Sequence, residues 1–296
     1  MKPLECTMLE SSDWKQAINQ HTLQLGPVLH EHLERKSRGI KHPVIDFLFE
    51  YYPFRPSHLA RWSPGADVLL QGATADSESL SISEMVYDSY GGYLPSHHFP
   101  KQRRKGLGWV LELLRSISEK SPRLGCRGLH EWAMVYEQGD IRHSQLPLRL
   151  DHEQIRAIVE NGPIKCTHFD AFRLFSESAK PLNTFQPLHG NRNELEQPGC
   201  LHVNMDLYKW ASKFHPWVSS DLVRETFFLA IETRAIDMRS SPYDLSEFDY
   251  SPIYIETEEG QLEYSRLQKE IYKKSIPLRA RLIQKFSEIL LAKPSR

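Results

Sequence analysis

No stretch of this 296-residue chain approaches the ~18 consecutive apolar residues that a membrane-spanning helix needs, so no segment is expected to cross a bilayer. The opening MKPLECTMLESSDW has no apolar core and carries acidic residues early, which argues against a secretory leader. Cysteine is scarce as well. Cys6, Cys126, Cys166 and Cys200 are far apart and form no CxxC pair, the pattern of reduced thiols in a cytoplasmic protein rather than of a disulfide framework. A charge surplus is also missing: 37 Lys and Arg stand against 38 Asp and Glu, for a net charge of -1. Proteins held on duplex DNA by phosphate contacts usually carry a basic excess, so the total leans towards a small-molecule or single-nucleotide partner.

Several motifs that announce a chemistry are absent. The sequence holds no G-x-G-x-x-G, no Walker loop, no H-E-x-x-H and no G-x-S-x-G. A Glu-x-x-His pair occurs nowhere, which leaves a ferritin-like carboxylate metal site without support.

What is present is mainly helical periodicity. Trp14, Ile18, Leu25, Val28, Leu29 and Leu33 follow a 3.6-residue repeat, with Asp13 as the expected cap and Gly26-Pro27 as an expected bend. HPVIDFLFEYYPFRPSHLARW is divided by Pro53 and Pro56 into two short helices around a turn. GLGWVLELLRSISEK, HEQIRAIVEN behind Asp151, SSDLVRETFFLAIETRAIDMRSS behind Ser219 or Ser220, and residues 258–291 all read as helices, the last with a break at Pro277. GLHEWAMVY is mixed in pattern and leans to helix. Residues 63–105, rich in Ser, Gly and Pro and ending in the basic run Lys101 to Lys105, read as a long irregular loop. The expectation is a mostly α protein, one large helical domain over 1–296, with a subdomain at 1–62 as the alternative division. The oligomeric state does not follow from these patterns.

Polar residues inside apolar runs are the second feature. GLHEWAMVY sets His130 and Glu131 beside Trp132, and CTHFDAFRLF sets His168, Asp170 and Arg173 among aromatics. CLHVNMDLYKW carries His202, Asn204 and Asp206 ahead of Tyr208, and ETRAIDMRSSPYDL carries Arg234, Asp237 and Arg239. Burying such groups costs free energy unless they are paired, so they are expected to face one another or a cavity.

Two chemistries fit. On a helix, His202 and Asp206 lie four apart on one face, a spacing that can hold iron or zinc, with His130, His168, Glu131 or Asp170 completing the set. Alternatively Asp170, Asp206 or Glu131 works without metal, as a general base or as a counter-charge to a cationic transition state. Tyr51, Tyr52, Trp132, Tyr208 and Trp210 would then stack on a flat substrate, while Arg55, Arg173 or Arg239 holds an anionic group. Plainer roles compete at each position. Thr167 to Asp170 fits a helix capping box, His202 and Asp206 can be an intrahelical pair, and Arg234 with Asp237 reads as an ion pair. A non-catalytic ligand-binding protein with a polar core is the third reading.

Six blocks carry a family resemblance: KHPVIDFLFEYYPFRPSHLARWSPG, GLHEWAMVY, RHSQLPLRL, CTHFDAFRLF, QPGCLHVNMDLYKW and DMRSSPYDL. Taken in order between Lys41 and Leu290, they resemble a bacterial, largely actinobacterial, family of 3-methyladenine DNA glycosylases without a helix-hairpin-helix. The resemblance implies hydrolysis of the bond between an alkylated purine and its sugar, in DNA or a nucleoside, with no cofactor. A 3-alkylated adenine is already cationic and leaves readily, so such an enzyme chiefly needs an aromatic slot and a carboxylate near the sugar.

Overall fold

The structure is a computed structural model that describes residues 7–77, 82–139, 141 and 143–292; Cys6 lies outside them. It is mostly α. Strand β1 (Thr7–Leu9) leads into α1 (Ser11–Ser37), then the short α2 (Ile45–Glu50) and α3 (Pro56–Leu59). Strands β2 (Val68–Gln71), β3 (Val86–Tyr87) and β4 (Gly91–Tyr93) follow, then α4 (Lys101–Ser118), α5 (Leu129–Val135), α6 (His152–Asn161), α7 (Phe169–Phe172) and α8 (Arg192–Leu195). The chain closes with α9 (Leu201–Lys213), α10 (Ser220–Arg239) and α11 (Glu258–Leu291).

The segment 63–105 is largely irregular, as expected, but three short strands interrupt it. Its strands join β1 in a small sheet of order β1-β2-β4-β3, parallel between β1 and β2 and antiparallel elsewhere. These strands are two to four residues long, too short for a period-2 pattern to emerge. Lys101 to Lys105 form the first turns of α4 instead of a solvated loop. Arg104 donates to the carbonyls of Ile289, Leu290 and Ala292 and so satisfies orphan acceptors at the end of α11.

Neither proline divides its helix. The helices α1 and α11 continue unbroken past Pro27 and Pro277. The bonds these prolines remove would fall on the carbonyls of Leu23 and Lys273, both exposed residues where water can substitute. Glu10, not Asp13, stands at the N-cap of α1, and the buried face includes His32 while Leu33 is exposed. Asp151 caps α6 through a reciprocal box with Gln154, and Ser219 caps α10.

One continuous apolar cluster links the helices. At its centre α9 packs along α10, and α11 packs against α4, α9 and α10. Nearly every residue of α9 from Leu201 to Ser212 is buried, so this helix has no solvent face on which to put polar groups. Its His202, Asn204 and Asp206 must find partners inside. Gly128 sets the entry of α5: its φ is +71°, and a Cβ there would sit 2.7 Å from Oγ of Ser240, the residue that ends α10. Only glycine allows that approach, which carries His130 and Glu131 up against α10.

Candidate active site: two buried ion clusters and a crevice

The first cluster is built around Asp206 of α9. Tyr52 donates to its Oδ1 at 3.1 Å, and His168 Nε2 lies 3.2 Å from Oδ2. Arg192 Nη2 and Lys209 Nζ stand 3.4 and 3.5 Å from the same oxygen. Burial alone would raise the Asp206 carboxyl, but Lys209, His168 and Arg192 outweigh it and hold the group below the usual carboxylate range. Asp170 joins through Lys209 at 2.8 Å and Arg173 at 3.2 Å, and Glu196 pairs with Arg192 at 2.7 Å.

His168 positions itself locally. It is the N-cap of α7, and its Nδ1 accepts from the Ala171 amide at 3.2 Å. The ring proton therefore sits on Nε2, aimed at Asp206. This replaces the capping box expected from Thr167 to Asp170; the Asp170 carboxylate turns to Lys209 and Arg173 instead.

The second cluster is built around Asp237 of α10. His130 Nε2 lies 2.5 Å from Oδ1, and Arg234 Nη1 lies 2.5 Å from Oδ2 and 2.6 Å from Glu131 Oε1. All four side chains are at least 96% buried. Burial opposes a charge on His130, yet the Asp237 carboxylate prevails and holds the ring well above its ordinary value. The expected Arg234–Asp237 ion pair is present, and it is also part of the site.

His202 stands between the clusters. Its ring is 4.5 Å from that of His130 and 5.3 Å from that of His168, centroid to centroid. The helical pair His202 and Asp206 thus parts company: Asp206 serves the first cluster, while His202 approaches Asp237 only to 3.8 Å. That distance is too long for a hydrogen bond, and among the described residues His202 makes none. Burial lowers its pKa well below 6.5, the Asp237 carboxylate opposing this only in part and the positive charges of His130 and Arg234 adding to it. His202 is therefore a neutral imidazole, 8% exposed, with lone-pair capacity to spare.

It lines a crevice with Glu131, Asp170, Arg234 and Tyr51. The free space is about 10 Å³, room for one water. Phe47 and Tyr51 also line it, their rings stacked at 4.9 Å and 9°.

Other expected site residues lie elsewhere. Trp132 is fully buried and donates to the Ser240 carbonyl at 2.8 Å, so its ring packs the core instead of offering a platform. Tyr208 is equally buried, Tyr52 is tied to Asp206, and Trp210 lies beneath Lys209 and Arg192. Arg239 bonds to the Ser251 carbonyl and Glu263, away from the crevice, and Arg55 is exposed at the start of α3. Of the three arginines expected to hold an anionic group, Arg173 alone borders the site. Arg192 and Glu196 are the members the sequence reading passed over; their spacing of four in RNELE was the available signal.

Among the described residues, two sets of donors could hold a metal: His130, His202 and Asp237, and His168, Asp170 and Asp206. Neither set is free. Both Asp237 oxygens already accept from cations, and Asp170 and Asp206 are held by Lys209, Arg173 and Arg192. Glu131, Asp170, Glu196, Asp206 and Asp237 balance Arg173, Arg192, Lys209, Arg234 and the charged His130. A dication added to this balance would have to displace one of those partners.

No protein-family model, curated protein or solved structure matches the chain.

Proposed function

We propose that this protein is a hydrolase in which His202 removes a proton from a water held in the crevice. The observation that carries the reading is the state of His202: neutral, buried, without a hydrogen bond, and facing a space the size of one water. A neutral ring nitrogen with a free lone pair is rare inside a network where every neighbouring carboxylate is already paired. Asp206, expected as the base, has its oxygens occupied by four partners and serves here to fix Tyr52, His168 and Lys209.

Following the family resemblance, we propose that the bond is the N-glycosidic bond of a 3-alkylated purine. Water adds to the anomeric carbon as the C–N bond breaks. The bond electrons pass to the purine, which is cationic and leaves neutral, and the water proton passes to His202. Asp170 and Glu131 border the crevice and supply negative charge for the positive charge that grows on the sugar. Tyr51 and Phe47 are the rings placed to meet the base, which requires Tyr51 to swing outward because the present space excludes a purine.

The test is release of 3-methyladenine from methylated DNA and from the 3-methylated deoxynucleoside, by wild type and by His202→Gln. Release by wild type and its loss in a folded His202→Gln variant support the reading. Absence of release by wild type from both substrates removes the glycosidic assignment.

One observation favours a second reading. The His130, His202 and Asp237 donor atoms lie within 4.8 Å of one another, and a metal-dependent enzyme would use them. Charge balance favours the metal-free reading.

A further inference from the structure

A larger pocket opens on the other side of Asp206. It has a volume of about 430 Å³ and lies between the segment Tyr52–Phe54, His58 of α3, and the C-terminal end of α9 with His215 beyond it. Tyr52, Pro53 and Phe54 contribute apolar lining, and Lys209, Ser212 and Lys213 line it from α9.

The charges of this pocket are one-sided. Lys209 spends its charge on Asp170 and Asp206. Among the described residues Lys213 has no carboxylate partner, and Arg103 donates to the Lys213 backbone carbonyl, bringing a second cation alongside. The neighbours that act on Lys213 electrostatically are Lys209 and Arg103, both positive. For His215 they are His21, His58 and Arg61, with burial as the larger effect, and no acid appears among them. Glu84 is the acid that reaches Arg103, and it does so weakly compared with burial. Lys213 thus stands without a carboxylate partner beside the aromatic lining of the pocket, with Arg103 close behind it, an arrangement that favours an anion carrying a planar ring.

We propose that this pocket is a second ligand site, for a phosphate monoester attached to a flat heterocycle, with Lys213 on the phosphate and Phe54 against the ring. The site is separate from the His202 crevice and does not depend on the hydrolytic reading. The two meet at Lys209 and Tyr52, which face the pocket on one side and Asp206 on the other. A phosphate drawn to Lys209 competes with Asp170 for the same ammonium group.

Calorimetric titration of the full chain with adenosine monophosphate, adenosine and inorganic phosphate tests the proposal, alongside Lys213→Met and Lys213→Glu. The expected result is that the monophosphate binds at least tenfold more tightly than either fragment. Lys213→Met should weaken it several-fold and Lys213→Glu should abolish it, with melting temperatures unchanged because Lys213 is exposed. A monophosphate that binds no better than inorganic phosphate, or binding indifferent to both substitutions, overturns the site. Base release by wild type is read separately, so loss of one reading leaves the other standing.

Discussion

The imidazole rings of His168 and His202 lie side by side, 25° from parallel, yet His168 is part of the Asp206 cluster while His202 stands between the two clusters. His168 is committed at both nitrogens, to the Ala171 amide and to Asp206. His202 is committed at neither. Two histidines of one type, in one core, are separated in role by what surrounds each ring.

That contrast predicts different outcomes on substitution. His202→Gln should leave the fold intact, costing under about 1 kcal/mol because no hydrogen bond is lost, while turnover falls by roughly a hundredfold or more. His168→Gln should instead cost about 1–3 kcal/mol, since it strips a helix cap and leaves Asp206 short of a donor. Urea unfolding beside turnover separates the two. Equal stability losses in both variants would contradict the assigned roles.

The pH profile of turnover follows from the direction of the His202 shift. Because its folded pKa lies well below 6.5, the neutral base persists as pH falls through 6.5. The acid limb of kcat/KM should therefore lie below pH 6.5. An acid limb at or above 6.5 would point to another base.

Asp237 is predicted to be the most sensitive carboxylate. Asp237→Asn leaves Arg234 and the charged His130 buried with one neutralised partner, and a broken buried pair costs about 3–5 kcal/mol. His130 adds a pH dependence of known sign. Its raised pKa contributes stability that is complete below 6.5 and is lost as pH rises through the folded value. Denaturant titrations of wild type and Asp237→Asn across alkaline pH check both.

His215 gives the opposite sign. Burial brings its pKa down to about 4, with His21, His58 and Arg61 adding to the effect. The stability it contributes is complete above 6.5 and is lost as pH falls towards 4. Between pH 7 and pH 5 that amounts to about 2 kcal/mol from this one ring. His215→Asn should flatten the acid side of the stability curve by a similar amount.

Metal analysis bears on the second functional reading. Protein purified without chelator is expected to carry far less than one iron or zinc per chain. Near-stoichiometric metal that disappears in His202→Gln would replace the general-base reading.

The helices were legible where periodicity and caps agreed. Asp151, Ser219 and the stripe of α4 each marked an element that the structure contains. Strands of two to four residues left no pattern to read. The polar residues of GLHEWAMVY, CTHFDAFRLF and CLHVNMDLYKW were visible as groups needing partners, and they do meet. Which ones meet was not legible. A spacing of four placed His202 and Asp206 on one helical face, but the side chains diverge because His168 and Arg192, from distant segments, capture Asp206. Aromatic density likewise could not distinguish a platform from a core: Trp132 and Tyr208 are indistinguishable from Tyr51 until burial is known.

The contact between Arg104 and the Ile289 carbonyl spans 185 residues. On a ribosome adding about 5–20 residues per second, α4 waits roughly 10–40 s for the helix that covers it. During that interval the stripe of Leu107, Val110, Leu111 and Leu114 has nothing from α11 to bury it. The order of synthesis therefore leaves that stripe of α4 uncovered until the last helix emerges, so the C-terminal helix sets the moment at which the core can close.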